Sequence, residues 1–315
     1  MNKKNIAIVG LGGVGGYFGF KINQRNEELQ NNRVSFIARE RTYKTLKENG
    51  LRLHSPEHQN TITSPDDLFQ SVLDLNNPDL VLICVKEYDL ESVCRQLSKV
   101  ISKDTILLPL MNGANIYDRI RAVIPENVIL PSCVYVASHI REKGIIEHKG
   151  RPGKLIFGND PEHLDAGLLW VNDLMKASGI DYEFKDDPLT DIWTKFIFIT
   201  SFGMVTAKYN SSIGTVCCDS VQKAEATEIM KEVKLIAAKK DIFLPDNIIE
   251  QTFDKAATFP KETPTSLQLD VNSGKDNTEL ELFAGAIVTY GKELNIETPV
   301  TQRMYAELQR VVKGV

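Results

Sequence analysis

An α/β unit built on a parallel sheet, followed by an all-helical unit, is the fold class that this 315-residue sequence predicts. Three observations carry it. The apolar run Ile6-Ala7-Ile8-Val9 leads into Gly10-Leu11-Gly12-Gly13-Val14-Gly15 and then Gly16-Tyr17-Phe18, an order that reads strand, tight turn, helix. Short apolar runs at residues 34–38, 80–85 and 105–110 repeat the strand signature, with polar or helical stretches between them. Beyond residue 188, apolar residues recur at helical spacing instead. The chain is also too long for one typical hydrophobic core. The expected organisation is a Rossmann-type dinucleotide-binding domain over residues 1–187 and an all-helical domain over residues 188–315.

The first strand and its turn come first in the argument. In a G-x-G-x-x-G turn, the first glycine makes the bend and the second lets a pyrophosphate approach the backbone. The third lets helix and strand pack closely, and the helix N-terminus faces the phosphates. Gly10, Gly12 and Gly15 hold those places, and Leu11, Gly13 and Val14 complete the candidate cofactor loop. A glycine-rich turn alone is a weak signal; its setting directly after an apolar strand near the N-terminus makes it specific.

After a polar stretch at residues 23–33, the second strand, residues 34–38, ends at Arg39. An acidic side chain near this strand end accepts from the adenosine ribose hydroxyls and selects NAD, whereas an arginine receives a 2′-phosphate. Arg39 therefore points to NADPH. Its neighbour Glu40 would argue for NAD, but it starts a polar helix, where an acid is welcome near the positive end of the dipole.

Residues 79–85 form a nearly continuous apolar strand of the kind covered on both faces, closing in Lys86. Ligands in such sheets bind beyond the carboxyl ends of strands, so Lys86 is placed to meet cofactor phosphate or ribose; a lysine there is also commonly only a solvated end. A helix near residues 90–100 leads to the strand at 105–110 and then to Met111-Asn112-Gly113. The Asn112 amide can orient a nicotinamide or a substrate, or it can be half of an ordinary Asn-Gly turn. Spacing does not choose between the two.

From residue 127 the runs shorten: 128–136, 144–148 and 154–157, then a helical stretch at 161–178, a pattern expected to finish a mixed sheet. Lys185-Asp186-Asp187-Pro188 combines charge with proline and is the expected boundary. Apolar periodicity then marks helices over residues 192–205, 221–238, 280–294 and 304–312. Lys195 sits in the first of these, in Trp193-Thr194-Lys195-Phe196-Ile197, an unusually apolar setting for an ammonium. A partly desolvated lysine becomes a usable proton donor near neutrality, and a snorkelling lysine is the plain alternative. Glu279 and Glu281 follow the polar loop at 272–277 and open the next helix, where acids are expected on dipole grounds alone. The pattern does not separate them.

Composition narrows the function classes. A formal charge of −5 offers no basic field for nucleic acid or an acidic membrane surface. No apolar stretch approaches bilayer length, and the chain enters its first strand at once, so no leader or anchor is expected. The five cysteines form no C-x-x-C pair and have no histidine at metal-ligand spacing, which fits a reducing cytoplasm, with no metal site. Cys84, inside an apolar run, reads as a small buried hydrophobe rather than a catalytic thiol. The oligomeric state is not fixed by the sequence, which leaves room for a homodimer.

Taken together, the sequence resembles the ketopantoate reductase (2-dehydropantoate 2-reductase) family along almost its whole length. The matching pieces are Gly10-Leu11-Gly12-Gly13-Val14-Gly15, Arg39, Asn49-Gly50-Leu51, Val85-Lys86, Leu110-Met111-Asn112-Gly113, residues 139–144, Trp193-Thr194-Lys195, Ser266-Leu267-Gln268-Leu269-Asp270 and Thr278-Glu279-Leu280-Glu281. The resemblance implies NADPH as reductant and a 2-oxo acid reduced in a cleft between the two domains. It further implies Lys195 as the catalytic lysine that protonates the developing alkoxide, and Glu279 rather than Glu281 as the catalytic glutamate. Asn112 falls on the asparagine near nicotinamide and substrate, Ser266 on a substrate-binding serine, and Arg39 and Lys86 on cofactor phosphate contacts.

Two departures stand out. The family pattern continues with asparagines four and eight residues after the lysine, where this chain has Ile199 and Gly203. A substrate group that those amides would meet must find Thr200, Ser201 or Asn210 instead, or be absent from the substrate. The loop from Asp270 to Glu279 is also one residue longer than the family pattern. The expected activity is NADPH-dependent reduction of 2-dehydropantoate to pantoate, a step toward pantothenate and coenzyme A. The competing readings are a reductase of a different 2-oxo acid, and a non-catalytic NADPH-binding sensor or scaffold.

Overall fold

The computed structural model describes residues 3–59, 61–164, 166–274 and 277–313. Residues 1–2, ahead of the first strand, residue 165 in the expected 161–178 helix, and residues 275–276 of the polar loop before Glu279 lie outside the described residues. The chain divides into two compact units, one of Met1–Asn112 and Ile116–Pro188, the other of Gly113–Asn115 and Leu189–Val315.

The first unit is organised by a six-stranded sheet in the spatial order Asp67–Phe69, Asn32–Ile37, Lys4–Val9, Leu80–Ile83, Ile106–Pro109, Val128–Ile129, with every neighbouring pair parallel. Numbering the strands of this sheet along the chain gives 3-2-1-4-5-6, the doubly wound order whose direction reverses beside the first strand. The central strands are buried on both faces, which is why Leu80–Ile83 reads as an unbroken apolar run. Register pairs Val9 with both Ile37 and Ile83. The glycine turn, Arg39 and Lys86 therefore leave the sheet along one carboxyl edge.

The helix Gly13–Leu29 lies against this sheet and is covered on its other side by a four-stranded sheet, Ser138–Glu142, Ile145–His148, Leu51–His54 and Thr61–Thr63. That cover explains why Gly15 through Asn23 are all buried, and why the helix runs further than the polar composition of residues 23–33 suggested. Asn23 is buried with its amide donating to Thr63 Oγ1 at 2.6 Å and the Ser64 carbonyl at 2.9 Å, so a polar residue serves as an interior one.

The expected single mixed sheet is not formed. The run at 128–136 breaks at Pro131, which has no N–H to donate. Val128–Ile129 joins the parallel sheet, while Ser132–Tyr135 pairs antiparallel with Lys154–Gly158 in a separate three-stranded sheet completed by Asp181–Lys185. The expected helix at 161–178 is also shorter, Leu169–Ala177, because the turn before it is held by Asp160. That fully buried carboxylate accepts from the amides of Ile129 and Glu162, from the Tyr117 hydroxyl, and from Arg121 Nη2 at 2.5 Å, with His163 Nδ1 at 3.0 Å. Burial pushes its pKa up, but the two amides, the hydroxyl and the guanidinium outweigh it and hold the carboxyl below its ordinary range.

The second unit is helical. Leu189–Tyr209 packs against Ser220–Lys239, Ser266–Asn272, Pro299–Lys313 and the π-helical segment Glu281–Gly285 that opens Ala286–Leu294. Ile213–Cys218 and Ser266–Asn272, six and seven residues long, are too short to repeat an apolar face, and in Ile248–Ala257 the buried positions are Ile248, Thr252 and Ala256, of which only two are apolar. Buried Glu232 accepts from the Val300 and Thr301 amides at 2.8 and 3.0 Å, satisfying first-turn donors of the last helix. Among the described residues no helix is long and apolar enough to cross a membrane, and no group of three or more His, Cys, Asp or Glu could hold a metal ion.

Candidate active site

The glycine turn opens a pocket of about 800 Å³ at the carboxyl edge of the first unit. Gly10 has φ +93°, and a Cβ there would stand 2.8 Å from the Cys84 carbonyl oxygen, so neither conformation nor space admits a side chain. Gly12 is the N-cap of Gly13–Leu29 and lines the pocket. Nothing lies within 4 Å of a Cβ built on it, so its open side faces space large enough for a ligand. Gly15 is the opposite case: a Cβ would overlap the Gly10 carbonyl oxygen and stand 2.7 Å from Cys84 Cβ. This helix has no side-chain cap and no acid in its first turn, so its first amides are available to an anion. Leu11 lines the pocket beside Gly10 and Gly12. Gly13 abuts the Ser138 backbone and Val14 packs against the core; they shape the turn rather than line the cavity.

Charge gathers at the rim. Arg39 precedes the helix Glu40–Asn49 and Lys86 precedes Glu87–Leu97; both line the pocket with Glu40, Asp89 and Lys143. Glu40 has φ +47°, a left-handed conformation that costs a residue with a side chain about 1 kcal/mol, stored at the mouth of the cavity. Arg39 Nη1 lies 3.2 Å from Asp89 Oδ1. Sequence reasoning missed Asp89, whose only local sign is its place in the first turn after Lys86. Cys84 also borders the pocket; burial pushes its thiol pKa up, away from thiolate chemistry. Asn112 follows Ile106–Pro109 and is half-buried, but is not among the residues lining this cavity.

The helical unit contributes a different set. Lys195 is 8% exposed within Leu189–Tyr209, and Glu279 is 6% exposed just before the π-helical turn. Glu281, the alternative acid, is exposed and accepts from the Tyr305 hydroxyl. Ser266 is the exposed first residue of its helix, behind a Thr265–Gln268 capping box. Lys195, Ser266 and Glu279 thus stand on or beside elements that pack on one another.

The positions that depart from the family pattern carry no side-chain amide here. Ile199 is half-buried, and a Cβ on Gly203 would rest 3.5 Å from Leu267 Cβ and 3.9 Å from Phe283. Of the polar neighbours, Ser201 donates to the Ile197 carbonyl at 2.7 Å, and Asn210 Oδ1 accepts from Gln268 and Asn272. Thr200 Oγ1 is buried with no hydrogen-bond partner.

A doubly wound sheet with a glycine turn at its switch point, joined in one chain to a helical unit that buries a lysine and a glutamate, defines a dinucleotide-dependent enzyme. Residues 6–162 match the family model described as ketopantoate reductase PanE/ApbA, and residues 187–312 match that of its C-terminal domain. The chain belongs to this family, whose members are oxidoreductases acting on CH–OH groups with a nicotinamide dinucleotide. It is 24% identical over 302 residues to the uncharacterized oxidoreductase YkpB of Bacillus subtilis, covering 96% of this chain and 97% of that protein. The crystal structure of 2-dehydropantoate 2-reductase from Porphyromonas gingivalis is 27% identical with a TM-score of 0.83, covering 98% of this chain and all of the other. D-mandelate dehydrogenase, solved with NADH and anilino(oxo)acetate, shares the fold at 22% identity and a TM-score of 0.85, over 98% of both chains.

Proposed function

We propose that this protein reduces 2-dehydropantoate to pantoate with NADPH, supporting pantothenate and coenzyme A synthesis in the cytoplasm. The observation that carries the reading is the burial of Lys195, since a lysine is rarely placed in an apolar interior without a task. The first unit fits a dinucleotide: an open-sided Gly12 at an uncapped helix N-terminus suits a pyrophosphate, and Arg39 and Lys86 suit a 2′-phosphate. When bound, the reduced nicotinamide supplies the hydride for the keto carbon.

The chain's own residues would do the rest. Lys195 donates a proton to the oxygen that becomes anionic as the hydride arrives, so the carbonyl ends as an alcohol and the lysine as an amine to be reprotonated from solvent. Glu279 keeps that lysine charged and accepts from a substrate hydroxyl. Ser266 holds substrate, and Asn112 orients nicotinamide and keto group through its amide.

A second reading is favoured by one observation. Ile199 places a half-buried apolar side chain one helical turn beyond Lys195, which suits a 2-oxo acid without a hydroxyl. Both readings are tested by following NADPH consumption against a panel of 2-oxo acids, with NADH as control. Oxidation with 2-dehydropantoate supports the first, and preference for a non-hydroxylated acid supports the second. Tight nucleotide binding with no turnover on any 2-oxo acid would defeat both.

A further inference from the structure

We propose that Asp89 tempers the cofactor choice that Arg39 sets, accepting from the adenosine 2′-hydroxyl when NADH binds and competing for Arg39 when NADPH binds. The assignment rests on reading the carboxyl-edge pocket as a dinucleotide site. Its starting point is the pair itself, Arg39 Nη1 to Asp89 Oδ1 at 3.2 Å, with side chains 58% and 33% exposed on the wall of the cavity.

In this fold, the side chain beyond the second strand meets the adenosine ribose. Arginine there recognises a phosphate, and a carboxylate recognises two hydroxyls. This chain brings both to the same spot, the arginine from the end of Asn32–Ile37 and the acid from the first turn of Glu87–Leu97. The register that pairs Val9 with Ile37 and with Ile83 places these two strand ends on either side of the glycine turn.

The consequences for the two cofactors are opposite. A 2′-phosphate carries close to two negative charges at neutral pH and attracts the guanidinium more strongly than a carboxylate does. Arg39 then turns from Asp89 to the phosphate, leaving a bare carboxylate beside a dianion. With NADH there is no phosphate; Arg39 stays on Asp89, and the second carboxylate oxygen accepts the ribose hydroxyl. Asp89 therefore narrows the preference for NADPH that Arg39 creates, and the protein accepts both cofactors.

Direct titration of the purified protein with NADPH and with NADH, followed by nucleotide fluorescence, tests this without turnover. Adenosine 2′-monophosphate and adenosine as displacing fragments isolate the 2′ position. Asp89→Asn keeps the shape of an exposed side chain, and thermal melts verify its fold. It is expected to weaken NADH by about tenfold, the worth of a hydrogen bond to a charged acceptor, and to strengthen NADPH by about threefold. Arg39→Ala is expected to weaken NADPH by about tenfold or more while leaving NADH within about twofold. The proposal is overturned if Asp89→Asn leaves both affinities unchanged, or if it weakens NADPH as Arg39→Ala does, which would make Asp89 only a positioner of the arginine. Failure of the wild-type protein to bind either nucleotide overturns the dinucleotide reading itself, and this assignment with it.

Discussion

Replacing Gly15 and Gly12 separately with alanine divides what the turn does for folding from what it does for a ligand. At Gly15 the added methyl overlaps the Gly10 carbonyl oxygen and lies 2.7 Å from Cys84 Cβ. The obstacles are backbone and a strand-end residue rather than a flexible side-chain tip, so helix and sheet must separate. Overpacking of this kind costs about 3 kcal/mol, the upper end of its usual range. In a unit of this size that lowers Tm by about 6–12 °C. At Gly12, by contrast, no heavy atom lies within 4 Å of the methyl and φ is −80°, so an alanine fits the backbone. Loss of a good N-cap costs about 0.5–1 kcal/mol. The methyl instead enters the space reserved for pyrophosphate and should weaken NADPH by about tenfold or more. Thermal unfolding followed by circular dichroism, with fluorescence titration of NADPH, reads both effects on each variant. An unchanged Tm for Gly15→Ala, or wild-type affinity for Gly12→Ala, would refute the division of roles.

The remaining expectations concern chemistry and stability. Lys195→Ala should lower kcat by about 10²–10⁴-fold with NADPH affinity preserved, and Glu279→Ala should also abolish most turnover; steady-state kinetics with parallel nucleotide titrations checks both. Ile199→Asn should raise kcat/KM for a hydroxylated 2-oxo acid by about tenfold relative to its non-hydroxylated analogue, and an unchanged ratio would remove Ile199 from the specificity argument. Asp160 has a pKa held below its ordinary value, so its stabilisation is present above about pH 4 and is lost as pH falls through the folded-state pKa. Asp160→Asn should cost about 3 kcal/mol at pH 7 and should flatten the acid limb of the Tm-against-pH curve. Because burial raises the Cys84 pKa, iodoacetamide at pH 8 should leave NADPH binding intact even where exposed Cys218 is alkylated.

How much of this could be read in advance depended on the distance over which each signal acts. The glycine turn and the central strands were visible because turn chemistry and apolar runs are local. The same holds for the long helices, in which Lys195 stood out as one charge in an apolar stretch. Of the four-stranded sheet only the run at 144–148 was visible: its strands are three to five residues long, and they come from residues 51–63 and 138–148. Asp160 gave no sign either, because its partners Tyr117, Arg121 and Ile129 lie 31 to 43 residues upstream.

Arg39 and Asp89 show the same boundary inside the site. Arg39 is found by counting, since it closes the strand that follows the glycine turn and its helix. Asp89 lies 50 residues further on and acquires meaning only once the parallel register sets Ile37 and Ile83 on either side of Val9. A rule for doubly wound sheets follows from that register. Residues from the first turns after both strands flanking the glycine turn line the same cavity, Arg39, Glu40 and Thr42 from one and Lys86, Tyr88 and Asp89 from the other, whatever their separation in the chain. Applied to the strand ending at Ile83, the rule puts Lys86, Tyr88 and Asp89 on an equal footing with Arg39. The acid that opposes the arginine could then be sought from the order of the strands alone.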